Sequence, residues 1–140
     1  MQQQTTVEGT LRYLRLVHGM LLFSMVLYPL VAQKLVPHQS TDLNRIFPIA
    51  LTVLSVALIG IAVLVHTKMT QAAFDVLRTK PDDAASLSRW RQASIISYAL
   101  SESVVLFGVA LWFLGGTLNQ SVPFYIAGPA LMLFLWPRRP

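Results

Sequence analysis

The chain has no cysteine, which excludes a disulfide framework, thiolate chemistry and any cysteine-built metal site. Charge is scarce too: only 12% of the 140 residues are charged, with six acids against eleven lysines and arginines. Soluble domains average about 25% charged residues, so this chain lacks the polar surface that would hold a globule in water. Also missing are a phosphate-cradling glycine-rich loop, a nucleophile elbow, a zinc-protease histidine pair and a shared-site carboxylate dyad. Those gaps point away from an enzyme. The net charge of +5 does not indicate nucleic acid, because the basic residues flank apolar runs instead of forming a segment interleaved with aromatics.

What the chain does have is apolar length. Hydrophobic residues make up 54% of it and collect in four runs, at residues 13–32, 46–65, 93–114 and 122–136. A run of about 20 residues at about 1.5 Å each matches a hydrocarbon core of about 30 Å, so each is read as a transmembrane helix. The first follows Arg12 and Arg15 as a signal peptide would, yet continues to Ala32 without a small-residue cleavage pattern, and reads as an uncleaved span. The fourth is shorter and contains Gly128-Pro129; the basic stop Arg138-Arg139 behind it favours a span.

The connections have their own signals. Residues 1–10 are polar and read as a frayed tail. Pro37, His38, Ser40, Thr41 and Asp42 make a turn-forming loop in which Thr41 or Asp42 caps the second helix; His38, Asp42 and Arg45 have no metal-ligand spacing. Beyond the second run, Met69, Ala72, Ala73, Val76 and Leu77 keep helical spacing up to the stop at Pro81, Asp82 or Asp83 caps the third helix, and Gly115-Gly116 closes it. Trp90, between Arg89 and Arg91, has the composition of a membrane-interface anchor, and Trp112 and Trp136 fit the same role. In the second run Ala50, Thr52, Ser55, Ala57, Gly60 and Ala62 are small enough for close helix approach.

Orientation follows from the basic residues. Arg12, Arg15, Lys68, Arg78, Lys80, Arg89, Arg91, Arg138 and Arg139 fall on one side of the expected membrane, and only Lys34 and Arg45 on the other. The positive-inside rule then puts both termini and the loop 66–92 in the cytoplasm. The expected architecture is all-α: a single membrane domain over 1–140, built as a bundle of four antiparallel transmembrane helices in a bacterial inner membrane.

One acid interrupts this pattern. Glu102 lies in the middle of the third run, twelve residues from Trp90 and ten from Trp112, and no other carboxylate lies in a long apolar run. An ionised acid at mid-bilayer costs at least about 2.5 to 3.5 kcal/mol, so the residue is expected to carry a proton, to bind a cation, or to hydrogen-bond helices together. At 100° per residue, Ser94, Ser97, Ser101, Gly108 and Gly115 share a narrow stripe that reads as a helix-packing seam, with Glu102 beside it. Tyr98, one turn earlier, is the expected hydrogen-bond partner of the acid.

The residues Ala99-Leu100-x-Glu102 with Phe107-Gly108 resemble the ion-carrying helix of the proteolipid (c) subunits of rotary ATP synthases, and Glu102-Ser103 resembles their sodium-type variant. The resemblance is confined to the third helix. It implies reversible proton or sodium binding at Glu102, with Ser103 as a sodium ligand. As a whole the chain resembles small, functionally unassigned bacterial four-span membrane proteins with a similar third helix. The expected function is non-enzymatic: a proton- or cation-binding membrane protein, oligomeric or part of a membrane complex, with the lipid bilayer as surroundings and no cofactor. The alternative is an accessory scaffold in which Glu102 only ties helices. A third reading takes His18 and His66, at similar depth on adjacent helices, as axial ligands of a haem.

Overall fold

The computed structural model describes residues 6–36 and 44–139. The apolar runs form four helices, α1 (Val7–Leu35), α2 (Ile46–Leu77), α3 (Ala84–Phe113) and α4 (Leu118–Phe134), with no strand among the described residues. Three of them, α1, α2 and α3, are long and apolar enough to cross a membrane. α4 has 17 residues, about 25 Å of helix, with Pro123 and Pro129 inside it.

Local chemistry sets the helix ends. Thr6 caps α1 by accepting from the Gly9 N–H at 3.2 Å, and Glu8 lies in the positive first turn, so residues 7–10 are helical where the sequence suggested a frayed tail. The caps suggested for α2, Thr41 and Asp42, lie outside the described residues, as does His38; at the start of that helix the Asn44 side-chain oxygen accepts from the Ile46 N–H at 3.2 Å. Asp83 caps α3, its carboxylate accepting from the Ser86 N–H at 2.9 Å. α3 therefore begins at Ala84 and extends well outside the apolar run. It ends where Gly115 turns left-handed at φ 92°, which lets the Gly115 and Gly116 N–H groups donate back to the carbonyls of Trp112 and Leu111 at 3.1 and 2.8 Å. Thr117 and Gln120 then open α4 with a reciprocal capping box.

α3 is the central helix. It packs against α1, α2 and α4, whereas the backbones of α1 and α2 do not approach each other closely. The α2–α3 pair is antiparallel, joined where the Ser97 hydroxyl donates to the Ala62 carbonyl at 3.2 Å and where Phe74 meets Trp90 edge-on at 5.5 Å. α4 returns antiparallel along α3, with the Tyr125 hydroxyl donating to the Gly108 carbonyl at 3.1 Å. α1 runs parallel to α3, because His18 pairs with Tyr98 and, further along both helices, Tyr28 pairs with Glu102. Arg139 meets Glu8 at 3.1 Å, so the N-terminal turn of α1 and the C-terminal segment lie at one end of the bundle.

Much of the outer surface is apolar. Leu16, Met20, Phe23, Val26 and Leu30 on α1 and Ile49, Val53, Val56 and Leu64 on α2 are all exposed. Exposed apolar surface on this scale has no place in water and suits lipid.

Candidate functional site

The stripe of small residues on α3 forms the centre of the packing. Ser94, Ser97 and Ser101 are fully buried, and each hydroxyl donates to a carbonyl one turn back, of Trp90, Ala93 and Ser97, at 3.0, 2.7 and 2.9 Å. That internal bonding satisfies the hydroxyls, so the seam offers little to a ligand. Gly108 is in the same seam for a steric reason: a Cβ there would lie 2.7 Å from the Tyr125 ring and 2.8 Å from the Phe124 Cβ. Gly115 does not belong to the seam; it is the left-handed residue beyond the helix. Of the small residues Ala50, Thr52, Ser55, Ala57, Gly60 and Ala62 on α2, Ser55 and Ala62 are buried, and Gly60 faces open space.

Glu102 flanks this seam on the side of α1. Its Oε1 accepts a hydrogen bond from the Tyr28 hydroxyl at 2.9 Å, across 74 residues of sequence. Among the described residues no basic side chain pairs with it and its second oxygen makes no hydrogen bond; the residue is half-buried.

The partners expected for the acid on α3 itself do not join it. Tyr98 is fully buried, with its ring edge-on to His18 at 5.0 Å, and Ser103 donates to the Ala99 carbonyl at 2.9 Å. The reason is geometric. Tyr98 points into the α1–α3 contact, where its ring fills core volume, and a helical serine reaches a carbonyl of its own preceding turn more easily than the carboxylate of the residue just before it. The group that reaches Glu102 is Tyr28, which sequence reasoning missed. Its only cue was a phenol in an otherwise apolar run.

The remaining candidates are placed as follows. His18 is fully buried and lies between two aromatic rings, Tyr98 at 5.0 Å and Trp136 at 4.7 Å, both edge-to-face. Neither of its nitrogens has a hydrogen-bond partner. His66 instead lines a cavity of about 210 Å³ at the end of α2. Among the described residues no group of three His, Asp or Glu is arranged to hold a metal ion. Of the three tryptophans, Trp90 is 1% exposed and Trp112 9%, so both are core residues, and only Trp136, at 44%, reaches the surface. Trp90 is covered because α2 continues past the apolar run and lays Phe74 against it. Nearby, the Arg91 guanidinium lies 6.0 Å from the Tyr13 ring centre, a cation–π distance that ties α3 to α1.

The fold and site together define a class: an all-helical bundle with three helices of membrane-crossing length and apolarity, whose central helix carries a single carboxylate. Comparison with protein-family models, with curated proteins and with solved structures found no match.

Proposed function

We propose that the chain is a non-enzymatic membrane protein that binds a proton or a monovalent cation at Glu102. In this reading all four helices cross a bacterial cytoplasmic membrane, both termini lie in the cytoplasm, and the chain works as an oligomer or as one subunit of a membrane complex. The observation that carries the reading is the state of the carboxylate. It sits midway along the most buried helix, one oxygen takes a neutral phenol donor, and among the described residues no basic side chain balances it. In hydrocarbon an acid without a basic partner takes up a proton or a cation to avoid the cost of free charge. The oxygen left without a hydrogen bond is where that ion would attach, and Tyr28 would hold the other oxygen in place.

A second reading has direct support from the same bond. Tyr28 to Glu102 joins α1 to α3, so the acid can serve as an interhelical tie in an accessory scaffold.

Carbodiimide modification separates the two, because the reagent attacks a protonated carboxyl in an apolar setting. Ion binding predicts rapid labelling of Glu102 in the purified protein, falling as pH rises and suppressed by sodium if the site takes that ion. Inertness at every pH would leave only the tie.

A further inference from the structure

A second site, independent of Glu102, lies at the end of the bundle that carries both described chain ends. α2 is much longer than α4, so when α4 stops at Phe134 the last turns of α2 continue past it. The gap is a cavity of about 210 Å³, open on one side, floored by Phe74, Trp90 and Trp136. Its polar lining comes from His66, Thr70 and Gln71 on α2 and from Arg138.

Two of those groups are unsatisfied. The Thr70 hydroxyl and the His66 Nδ1 are buried with no hydrogen-bond partner, and Thr70 is only 8% exposed. They stand one helical turn apart, on one face of α2. An orphaned buried polar group costs about 1 to 3 kcal/mol, a cost that a ligand supplying the missing partner removes. Thr67, which also lines the cavity, is already engaged with the Val63 and Leu64 carbonyls at 2.7 and 3.2 Å and stays out of the set.

The charge of the lining selects the ligand. Arg138 brings a guanidinium, Thr70 a hydroxyl, Gln71 an amide and His66 a ring nitrogen, while among the described residues no Asp or Glu lines the cavity. A fork of donors beside a hydroxyl matches the oxygens of a phosphate, and the aromatic floor suits the apolar part of the same molecule. The same end of the bundle carries Arg12, Arg15, Arg89 and Arg91, the side that would meet an anionic leaflet. We propose that this cavity binds the phosphate head group of an anionic phospholipid, with Arg138 and Thr70 holding the phosphate oxygens.

The test is thermal unfolding of the full chain in mild detergent, followed by circular dichroism, with phosphatidylglycerol, phosphatidylcholine or inorganic phosphate added in turn. Phosphatidylglycerol is expected to raise Tm with saturation, at an apparent affinity about tenfold or more above that of phosphatidylcholine. Arg138→Gln and Thr70→Val should each weaken that affinity about tenfold, the size expected for one charge-assisted hydrogen bond. Arg139→Gln removes the same charge one residue on, from a side chain that pairs with Glu8 instead, and should leave the affinity unchanged. Equal shifts from both lipids, or equal losses from Arg138→Gln and Arg139→Gln, would overturn the site. A shift from inorganic phosphate with none from phosphatidylglycerol would overturn the lipid assignment and identify a free anion. Because none of these changes touches Glu102, carbodiimide labelling should remain as in the unmodified protein throughout.

Discussion

A carboxylate that accepts one hydrogen bond from a phenol holds two different kinds of energy, and substitutions separate them. Tyr28→Phe removes the donor and keeps the acid; Glu102→Gln keeps an acceptor oxygen for Tyr28 and removes the ionisable group. Interhelical hydrogen bonds in membranes average about 0.6 kcal/mol and reach about 1.7, so Tyr28→Phe is expected to destabilise the fold by about 1 kcal/mol. Glu102→Gln should cost less. Equilibrium unfolding in detergent of both single variants and the double variant checks this, and a coupling energy near zero would mean the bond contributes nothing. The acid itself was legible in the sequence because a single Glu in an apolar run stands out. Its partner was not, because a residue 74 positions away enters only when α1 and α3 are laid parallel. Tyr98, the nearer phenol, satisfied the helical spacing but is spent on packing against His18.

At the scale of the element, the ends and the seams decide. Asp83 caps α3, and hydrogen bonds from Ser86, side chain first and backbone second, hold its carboxyl below the ordinary carboxylate range. A group whose folded-state value is depressed stabilises the fold above its unfolded value, about 3.9 for Asp, and loses that contribution as pH falls through the folded one. Asp83→Ala should therefore lower Tm at pH 7, and the gap from the unmodified protein should close only below about pH 3.9, measured as Tm against pH. The seam gives a sharper contrast. A Cβ on Gly128 would collide with the Val105 side chain and lie 2.9 Å from the Ser101 carbonyl, whereas one on Gly60 would meet nothing within 4 Å. Gly128→Ala should destabilise by about 1 to 3 kcal/mol by pushing α4 off α3, while Gly60→Ala stays within about 0.5 kcal/mol of neutral or gains from helix propensity, both read by unfolding in detergent. That Asp82 or Asp83 caps α3 and that Gly115-Gly116 closes it was readable in the sequence because both rest on local chemistry; the structure selects Asp83 and gives Gly115 the left-handed turn. Trp90 was not: two flanking arginines suggest an interface, and only the extension of α2 to Phe74 explains why the ring is buried.

For the whole molecule, the arrangement around α3 ties the separate observations together. Because α1, α2 and α4 all pack on α3, that helix is covered on three sides, its serine seam is fully buried and Glu102 beside the seam is half-buried. The C-terminal segment reinforces the end of the bundle, reaching α1 through Arg139 and lining the α2 cavity with Arg138. Helix number and the apolar character of the surface were legible in the sequence, since lipid demands long apolar runs. The central position of α3 was not legible from hydropathy, which is highest in α2 and not in α3; only the small-residue stripe hinted at which helix the others surround.

The account depends on Glu102 lying inside the hydrocarbon region, and the absence of cysteine makes that directly measurable. Single variants Lys80→Cys, Asn119→Cys and Ser103→Cys, in sealed vesicles of known orientation, can be challenged with a membrane-impermeant maleimide. The prediction is that Lys80→Cys reacts only from the cytoplasmic face, Asn119→Cys only from the opposite face, and Ser103→Cys, next to the acid, from neither. Labelling of Ser103→Cys as fast as that of Lys80→Cys would contradict the account.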